Sequence, residues 1–170
     1  MTLDTDQYYM RMALNFARRG LGLVGQGRPS VGCVLVKKGV VVAAARTGDG
    51  GQPHAEAAAL EMAGYEATGA TAYVTLEPCA HHGRTPPCAE ALVKAKIKKR
   101  FVACRDPFPK VNGQGIKIMQ DAGIEVEEGL CEDEARWVNQ GFFLSVEEKG
   151  PYVTGRCAVC SASMIEVLRG

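Results

Sequence analysis

The sequence predicts an α/β fold of three layers, with helices on both faces of a mixed five-stranded sheet. Strand-like and helix-like segments alternate along most of the chain, as expected when helices connect parallel strands. Residues 31–36 are almost wholly apolar, which is typical of a strand buried on both faces. A second strand follows directly after the turn Lys37-Lys38-Gly39, so the sheet begins with an antiparallel hairpin and is mixed.

Each predicted element has its own signal. Residues 6–20 have apolar side chains at helical spacing, with Asp6 as the expected cap. Residues 54–63 are rich in alanine, the strongest helix former, and Gly64 ends this helix. The other predicted strands are 40–45, 71–76, 100–104 and 124–126, and the other predicted helices are 88–95, 116–121 and 132–147.

Bulk composition narrows the possible functions. At 170 residues the chain suits one domain, and its net charge of +1 creates no strong field for nucleic acid or an anionic membrane. No apolar run is long enough to span a membrane, and the acidic N-terminus lacks a signal-peptide core. We therefore expect a cytoplasmic protein with no membrane partner.

The cysteines are expected to be unpaired thiols. Their number, seven, is odd, and a reducing compartment disfavours disulfides. Cys33 and Cys104 lie within apolar runs and are predicted to be buried. Cys157 and Cys160 have a C-x-x-C spacing but no second pair and no nearby histidine, so we assign them no metal.

One stretch of the chain predicts a catalytic zinc centre. His54, Cys79 and Cys88 supply three ligands for Zn²⁺ and leave the fourth position for water, the arrangement of catalytic rather than structural sites. Glu56, two residues after His54, suits a general acid and base that takes a proton from zinc-bound water. It would return protons to a ring nitrogen and to a departing amine. This motif is typical of zinc-dependent nucleobase deaminases. His81 and His82 are weaker alternative ligands, because Cys79 and Cys88 both fit and Glu56 already completes the catalytic set.

The spacing of the two cysteines narrows the resemblance. The segment PCAHHGRTPPC at 78–88 resembles the deaminase domain of the bifunctional riboflavin-biosynthesis deaminase/reductase, within the zinc-dependent cytidine/deoxycytidylate deaminase superfamily. Residues 31–34 and 69–79, and Asp106-Pro107 followed by 113–115, agree with it. The resemblance covers nearly residues 6–156 and implies a cytidine-deaminase-like α/β/α sandwich that forms a homodimer or a higher homo-oligomer.

The resemblance also implies a substrate. It is 2,5-diamino-6-ribosylamino-4(3H)-pyrimidinone 5′-phosphate, an amino-pyrimidine nucleotide deaminated hydrolytically at its 2-amino group. By position, the resemblance assigns the zinc ligands and the proton shuttle to the same four residues. It also places the loop residues His81, Arg84 and Asp106 near the substrate. Together with Arg28 and Thr47 at the rim of the site, these are the predicted substrate-binding residues.

Three departures from the family pattern lie where the substrate would be held. Arg28 and Phe108 stand where the family usually has asparagine, and Thr47 stands where it often has histidine. Asparagine both donates and accepts hydrogen bonds, whereas arginine only donates and phenylalanine does neither. Because buried hydrogen-bond patterns discriminate strongly between analogues, we expect a shifted substrate or weakened binding as an alternative.

The end of the chain resembles the start of a reductase domain. We expect a deaminase domain at 1–149 and a C-terminal tail at 150–170 that is too short for a nicotinamide-binding domain. No glycine-rich dinucleotide fingerprint is present, so neither reductase activity nor NADPH binding is expected.

Two other functions stay open from the sequence. A nucleic-acid deaminase, acting on tRNA adenosine or on cytosine, would need a basic surface. The only basic cluster, 94–100, is expected to be the solvated end of a helix. A catalytically silent, zinc-stabilised scaffold is the third possibility, and the intact Glu56 argues against it.

Overall fold

The computed structural model describes residues 4–80, 86–108 and 113–147. His81, Arg84, the predicted domain boundary at 149 and the Cys157–Cys160 pair lie outside these residues. The helices are α1 (Thr5–Gly20), α2 (Ala55–Ala63), α3 (Cys88–Lys94), α4 (Gln114–Asp121), α5 (Glu132–Val138) and α6 (Gln140–Glu147). The strands are β1 (Gly32–Lys37), β2 (Val40–Arg46), β3 (Thr71–Val74), β4 (Lys99–Val102) and β5 (Glu125–Glu128).

The five strands form one mixed sheet in the order β2-β1-β3-β4-β5. Strand β1 is antiparallel to β2 and to β3, whereas β3, β4 and β5 run parallel to one another. The parallel pairs are connected through α3 and α4, so the ends of β3 and β4 lead into loops at the same edge of the sheet. The predicted mixed five-stranded sheet is confirmed.

Helices cover both faces of the sheet, which confirms the three-layer prediction. Alternate residues of β1 enter different cores, because side chains of a strand point to opposite faces. Val34 packs with α1, α5 and α6, whereas Cys33 and Leu35 pack with α2, α3 and α4. The buried positions predicted for Cys33 and Cys104 are confirmed. In the described part of the chain, no helix combines the length and apolar character that a membrane span requires.

Two sequence predictions about helix ends are wrong. Helix α1 is capped by Asp4 rather than Asp6, since the Asp4 side chain accepts a hydrogen bond from the Asp6 N–H. The predicted final helix is two helices, α5 and α6, separated by Asn139. Asn139 is buried, and its amide accepts from the Ser30 N–H at 2.8 Å and donates to the Ser30 carbonyl at 2.9 Å. This contact across 109 residues accompanies the break in the helix.

Asn139→Ala is expected to destabilise the fold by about 2–4 kcal/mol, because it leaves the buried N–H and carbonyl of Ser30 without their side-chain partner. The free energy of unfolding in urea measures this loss. Asn15→Ala is the matched control, since Asn15 is exposed and its side chain accepts a hydrogen bond from Arg18 at the surface. Equal stability of the two variants would contradict the assignment.

Strand β5 lies at the edge of the described sheet and is strongly acidic. It carries Glu125, Glu127 and Glu128, all of which are exposed. Lys99 of the neighbouring strand forms ion pairs with Glu125 at 2.8 Å and with Glu127. The strand is therefore paired on one side and lined with carboxylates on its surface.

Candidate metal centre and cavity

The three predicted zinc ligands lie close together, although they come from separate segments of the chain. His54 is the residue before α2, Cys79 lies in the loop after β3, and Cys88 is the first residue of α3. The His54 Nδ1 atom is 3.3 Å from the Cys88 Sγ and 3.6 Å from the Cys79 Sγ. The structure thus places together residues that are 34 positions apart in the chain.

The chemistry and spacing of this group fit a zinc ion. Thiolates and imidazole nitrogens are common Zn²⁺ ligands, and all three ligand atoms lie within 4.8 Å of one another. Bond lengths of about 2.0–2.3 Å in a tetrahedral site place neighbouring ligand atoms roughly 3.5–3.8 Å apart. The observed separations involving His54 are close to this range. His54, Cys79 and Cys88 can therefore hold Zn²⁺.

The two thiols differ strongly in acidity. A hydrogen bond from the Cys88 thiol is the main cause that lowers the pKa of Cys79 to about 4, and the same bond raises the pKa of Cys88. The Cys88 N–H also donates to the Cys79 Sγ at 3.2 Å. By contrast, burial raises the pKa of Cys104 to about 12. A bound divalent cation would favour the ionised form of both sulfurs.

Glu56 lies beside the metal group in the first turn of α2. Its side chain is buried, with 4% of the residue exposed, and it lines the same cavity as His54 and Cys79. The Arg100 Nη2 atom is 3.5 Å from the Glu56 Oε1 atom. The expectation that the basic cluster 94–100 is a solvated helix end is wrong for Arg100, which lies on β4 and is fully buried.

A cavity of about 880 Å³ opens onto the metal group. Of the predicted substrate-binding residues that the structure describes, all three line this cavity, and Phe108 does too. The residues that line the cavity are Gly27, Arg28, Pro29, Val31, Thr47, Gly50, Gly51, Gln52, His54, Glu56, Leu76, Glu77, Cys79, Asp106, Phe108 and Phe142. The substrate-contacting roles of Arg28, Thr47 and Asp106 stay predictions.

The predicted substrate-binding residues make local hydrogen bonds. The Arg28 guanidinium donates to the Gly50 carbonyl, so its side chain lies along the cavity rim. The Thr47 hydroxyl accepts from the Val31 N–H at 2.9 Å. Asp106 accepts from the Phe108 N–H at 2.9 Å, which shapes the loop on which both residues stand.

Glu77 is a buried carboxylate that fastens this loop. Its oxygens accept hydrogen bonds from the backbone N–H groups of Asp106 at 3.3 Å, Gly113 at 3.0 Å and Gly115 at 3.1 Å. Gly115 also approaches Pro78 so closely that a Cβ atom would lie 2.1 Å from the Pro78 carbonyl oxygen. Glu77 therefore joins the segment that carries Cys79 to the loop that carries Asp106.

Glu77→Gln is expected to lower the free energy of unfolding by about 1–3 kcal/mol, since an amide NH₂ replaces an oxygen that accepts from the backbone. Hydrogen exchange at the Gly113 and Gly115 amides should become faster than in the wild type. Glu61→Gln, on the exposed side of α2, is the matched control. Unchanged protection of these amides would show that Glu77 does not hold the loop.

Sequence reasoning missed three residues of this site: Glu77, Arg100 and Phe142. The strand pattern could have indicated Arg100, because it shares a face of β4 with the buried Val102. Glu77 and Phe142 carried no comparable signal. Glu77 acts on a loop distant in sequence, and Phe142 reaches the cavity from α6.

The sequence of this chain is similar to a protein family model and to individual proteins. Residues 3–104 match the family model of the cytidine and deoxycytidylate deaminase zinc-binding region. Riboflavin biosynthesis protein RibD of Aquifex aeolicus is 43% identical over 170 residues, which are 100% of this chain and 48% of that protein.

Solved structures are also similar to this chain. A structure of Acinetobacter baumannii RibD is similar with a TM-score of 0.83 and 55% identity, covering 87% of this chain and 42% of that one. A Thermotoga maritima structure, described as a diaminohydroxyphosphoribosylaminopyrimidine deaminase/5-amino-6-(5-phosphoribosylamino)uracil reductase, has a TM-score of 0.81 and 40% identity. The match covers 87% of this chain and 43% of the Thermotoga maritima chain. The chain thus spans less than half the length of these relatives.

Proposed function

The chain belongs to the cytidine and deoxycytidylate deaminase zinc-binding family, and from this premise we propose that it is a zinc-dependent hydrolytic deaminase. The observation that carries the proposal is the convergence of His54, Cys79 and Cys88 at a cavity that Glu56 also lines. Bound Zn²⁺ supplies Lewis-acid activation of water at neutral pH.

Glu56 moves the protons of the reaction. Its carboxylate takes a proton from the attacking water and delivers it to the ring nitrogen next to the reacting carbon. It then carries the second proton of that water to the amino group, which leaves as ammonia while a carbonyl forms. One carboxylate serves both directions because the two transfers are separate in time. The buried position of Glu56 suits it to this work, because the low local dielectric strengthens its interactions.

We infer that the substrate is the pyrimidinone nucleotide of riboflavin biosynthesis, 2,5-diamino-6-ribosylamino-4(3H)-pyrimidinone 5′-phosphate. The inference is supported by the similarity to the Thermotoga maritima deaminase/reductase and to RibD proteins. The cavity has the volume of a small-molecule site. Arg28, Thr47 and Asp106 are proposed to contact the substrate, together with His81 and Arg84.

Ammonia release tests this function. The zinc-loaded protein should turn over the pyrimidinone phosphate with kcat/KM in the usual enzyme range of about 10⁴ M⁻¹s⁻¹ or more. Cytidine, dCMP, adenosine and a tRNA anticodon stem form the comparison panel. Turnover of a panel member in preference to the pyrimidinone phosphate would overturn the substrate assignment, and the absence of ammonia from all of them would overturn the activity.

A second substrate assignment is supported by the cavity rim. The Phe108 ring lies 5.9 Å from the Phe142 ring, so an apolar pair lines the cavity where the family pattern has asparagine. An aromatic wall cannot donate or accept the hydrogen bonds of an amide. Another amino-heterocycle is therefore the alternative substrate class, and the same panel distinguishes the two.

The remaining partner predictions concern assembly and location. We propose a homodimer or a higher homo-oligomer in the cytoplasm, with no nucleic-acid partner. The net charge of +1 argues against extended phosphate contacts. Light scattering coupled to size-exclusion chromatography measures the oligomeric state, and a monomeric mass at working concentration would refute the assembly.

A further inference from the structure

Arg100 is the only fully buried cation among residues 4–80, 86–108 and 113–147. A buried guanidinium loses its hydration and is costly unless its surroundings compensate well. Its side chain stands on β4 and points to the same side of the sheet as α2 and α4. It is not among the residues that line the cavity, so it does not reach a substrate.

The partners of Arg100 compensate its burial incompletely. Its Nη1 atom is 3.4 Å from the Met119 sulfur, a weak acceptor, and its Nη2 atom donates to the Leu76 carbonyl at 3.1 Å. Its Nε atom has no hydrogen-bond partner in the described part of the chain. A methionine or leucine of similar volume would avoid this cost. The remaining partner, the Glu56 carboxylate, is the one that requires a positive charge.

We propose that Arg100 is a positioning residue that fixes the orientation of the Glu56 carboxylate. The guanidinium lies 3.5 Å from Oε1 on the β4 side, and the same Glu56 side chain belongs to a residue that lines the cavity. The bond to the Leu76 carbonyl ties the same guanidinium to the segment that leads to Cys79. Arg100 thus sets the proton-carrying carboxylate relative to the metal ligands. The proposal rests on the proposed function of Glu56.

A double-mutant cycle on stability tests the pairing without any assay of activity. Arg100→Met should lower the folding equilibrium constant at least ~10-fold more in the wild type than in the Glu56→Gln background, because only the wild type is left with an unpaired buried carboxylate. Equal losses in both backgrounds would show that Arg100 only supports packing, and would overturn the proposal. If Arg100→Met does not fold, Arg100→Lys and Arg100→Gln replace it in the same cycle.

Kinetics on the zinc-loaded enzyme provide the second arm. Arg100→Met should lower kcat by about 10–100-fold and leave KM within about 2-fold, since Arg100 does not contact substrate. Arg100→Lys should recover part of kcat, and Arg11→Met, at a surface ion pair with Glu134, is the matched control. A raised KM with unchanged kcat, or a loss of zinc from Arg100→Met, would overturn the role. If no substrate is turned over at all, the proposed function fails, and the stability cycle still decides whether Arg100 and Glu56 are coupled.

Discussion

Glu56→Gln is expected to lower kcat by about 10²–10⁴-fold while the protein keeps its zinc. The amide has the shape of the carboxylate and can still accept a hydrogen bond from Arg100, but it cannot carry a proton between water and the leaving amine. Glu56 is not one of the three residues of the metal group, so its loss should not release the ion. Ammonia release and elemental analysis of the same preparation measure the two quantities.

The matched control is Glu61→Gln on the same helix. Glu61 is exposed, and its replacement should leave turnover and zinc content at wild-type values. Glu56→Ala should resemble Glu56→Gln in activity, with an additional loss of stability because Arg100 loses its anionic partner. Turnover by Glu56→Gln within tenfold of the wild type would rule out the proton-shuttle mechanism.

Cys88→Ala is expected to lower zinc affinity by at least ~100-fold and to abolish turnover, because it removes one of three protein ligands. Cys79→Ala should behave in the same way. The zinc content of dialysed protein and a competition titration with a chelator measure the loss. The wild type should gain thermal stability on zinc addition, whereas these variants should gain little, because stabilisation by a ligand depends on its affinity for the folded state.

Cys131→Ala controls for the general effect of losing a thiol. Cys131 is half-buried and outside the metal group, so its replacement should keep both zinc and turnover. Full zinc occupancy in Cys88→Ala would mean that another residue completes the site. In that case the ligand set His54, Cys79 and Cys88 would have to be revised.

The metal group could be predicted from sequence because its information is local. His54 and Glu56 are two residues apart, and Cys79 and Cys88 are nine positions apart, so spacing alone indicated the ligands. The alternation of strand and helix signals then placed both segments at the starts of helices. The structure confirms α2 and α3 there. The three-layer fold followed from the same alternation and from the apolar β1.

The parts that could not be predicted depend on contacts between distant residues. Asn139 divides the last predicted helix and contacts Ser30, which lies 109 residues earlier in the sequence. Arg100 looked like part of a solvated basic cluster, but tertiary packing buries it against Glu56. Glu77 binds a loop about 36 residues away. Composition and periodicity do not predict contacts between distant residues, since they describe only neighbours along the chain.

The acidic edge of the sheet has a consequence for aggregation. An edge strand presents unpaired backbone N–H and carbonyl groups, which can join the edge strand of another molecule. Glu125, Glu127 and Glu128 would bring like charges together if two copies met along β5, so this form of strand addition is disfavoured. The protection is electrostatic, and it should weaken as rising ionic strength screens the carboxylates.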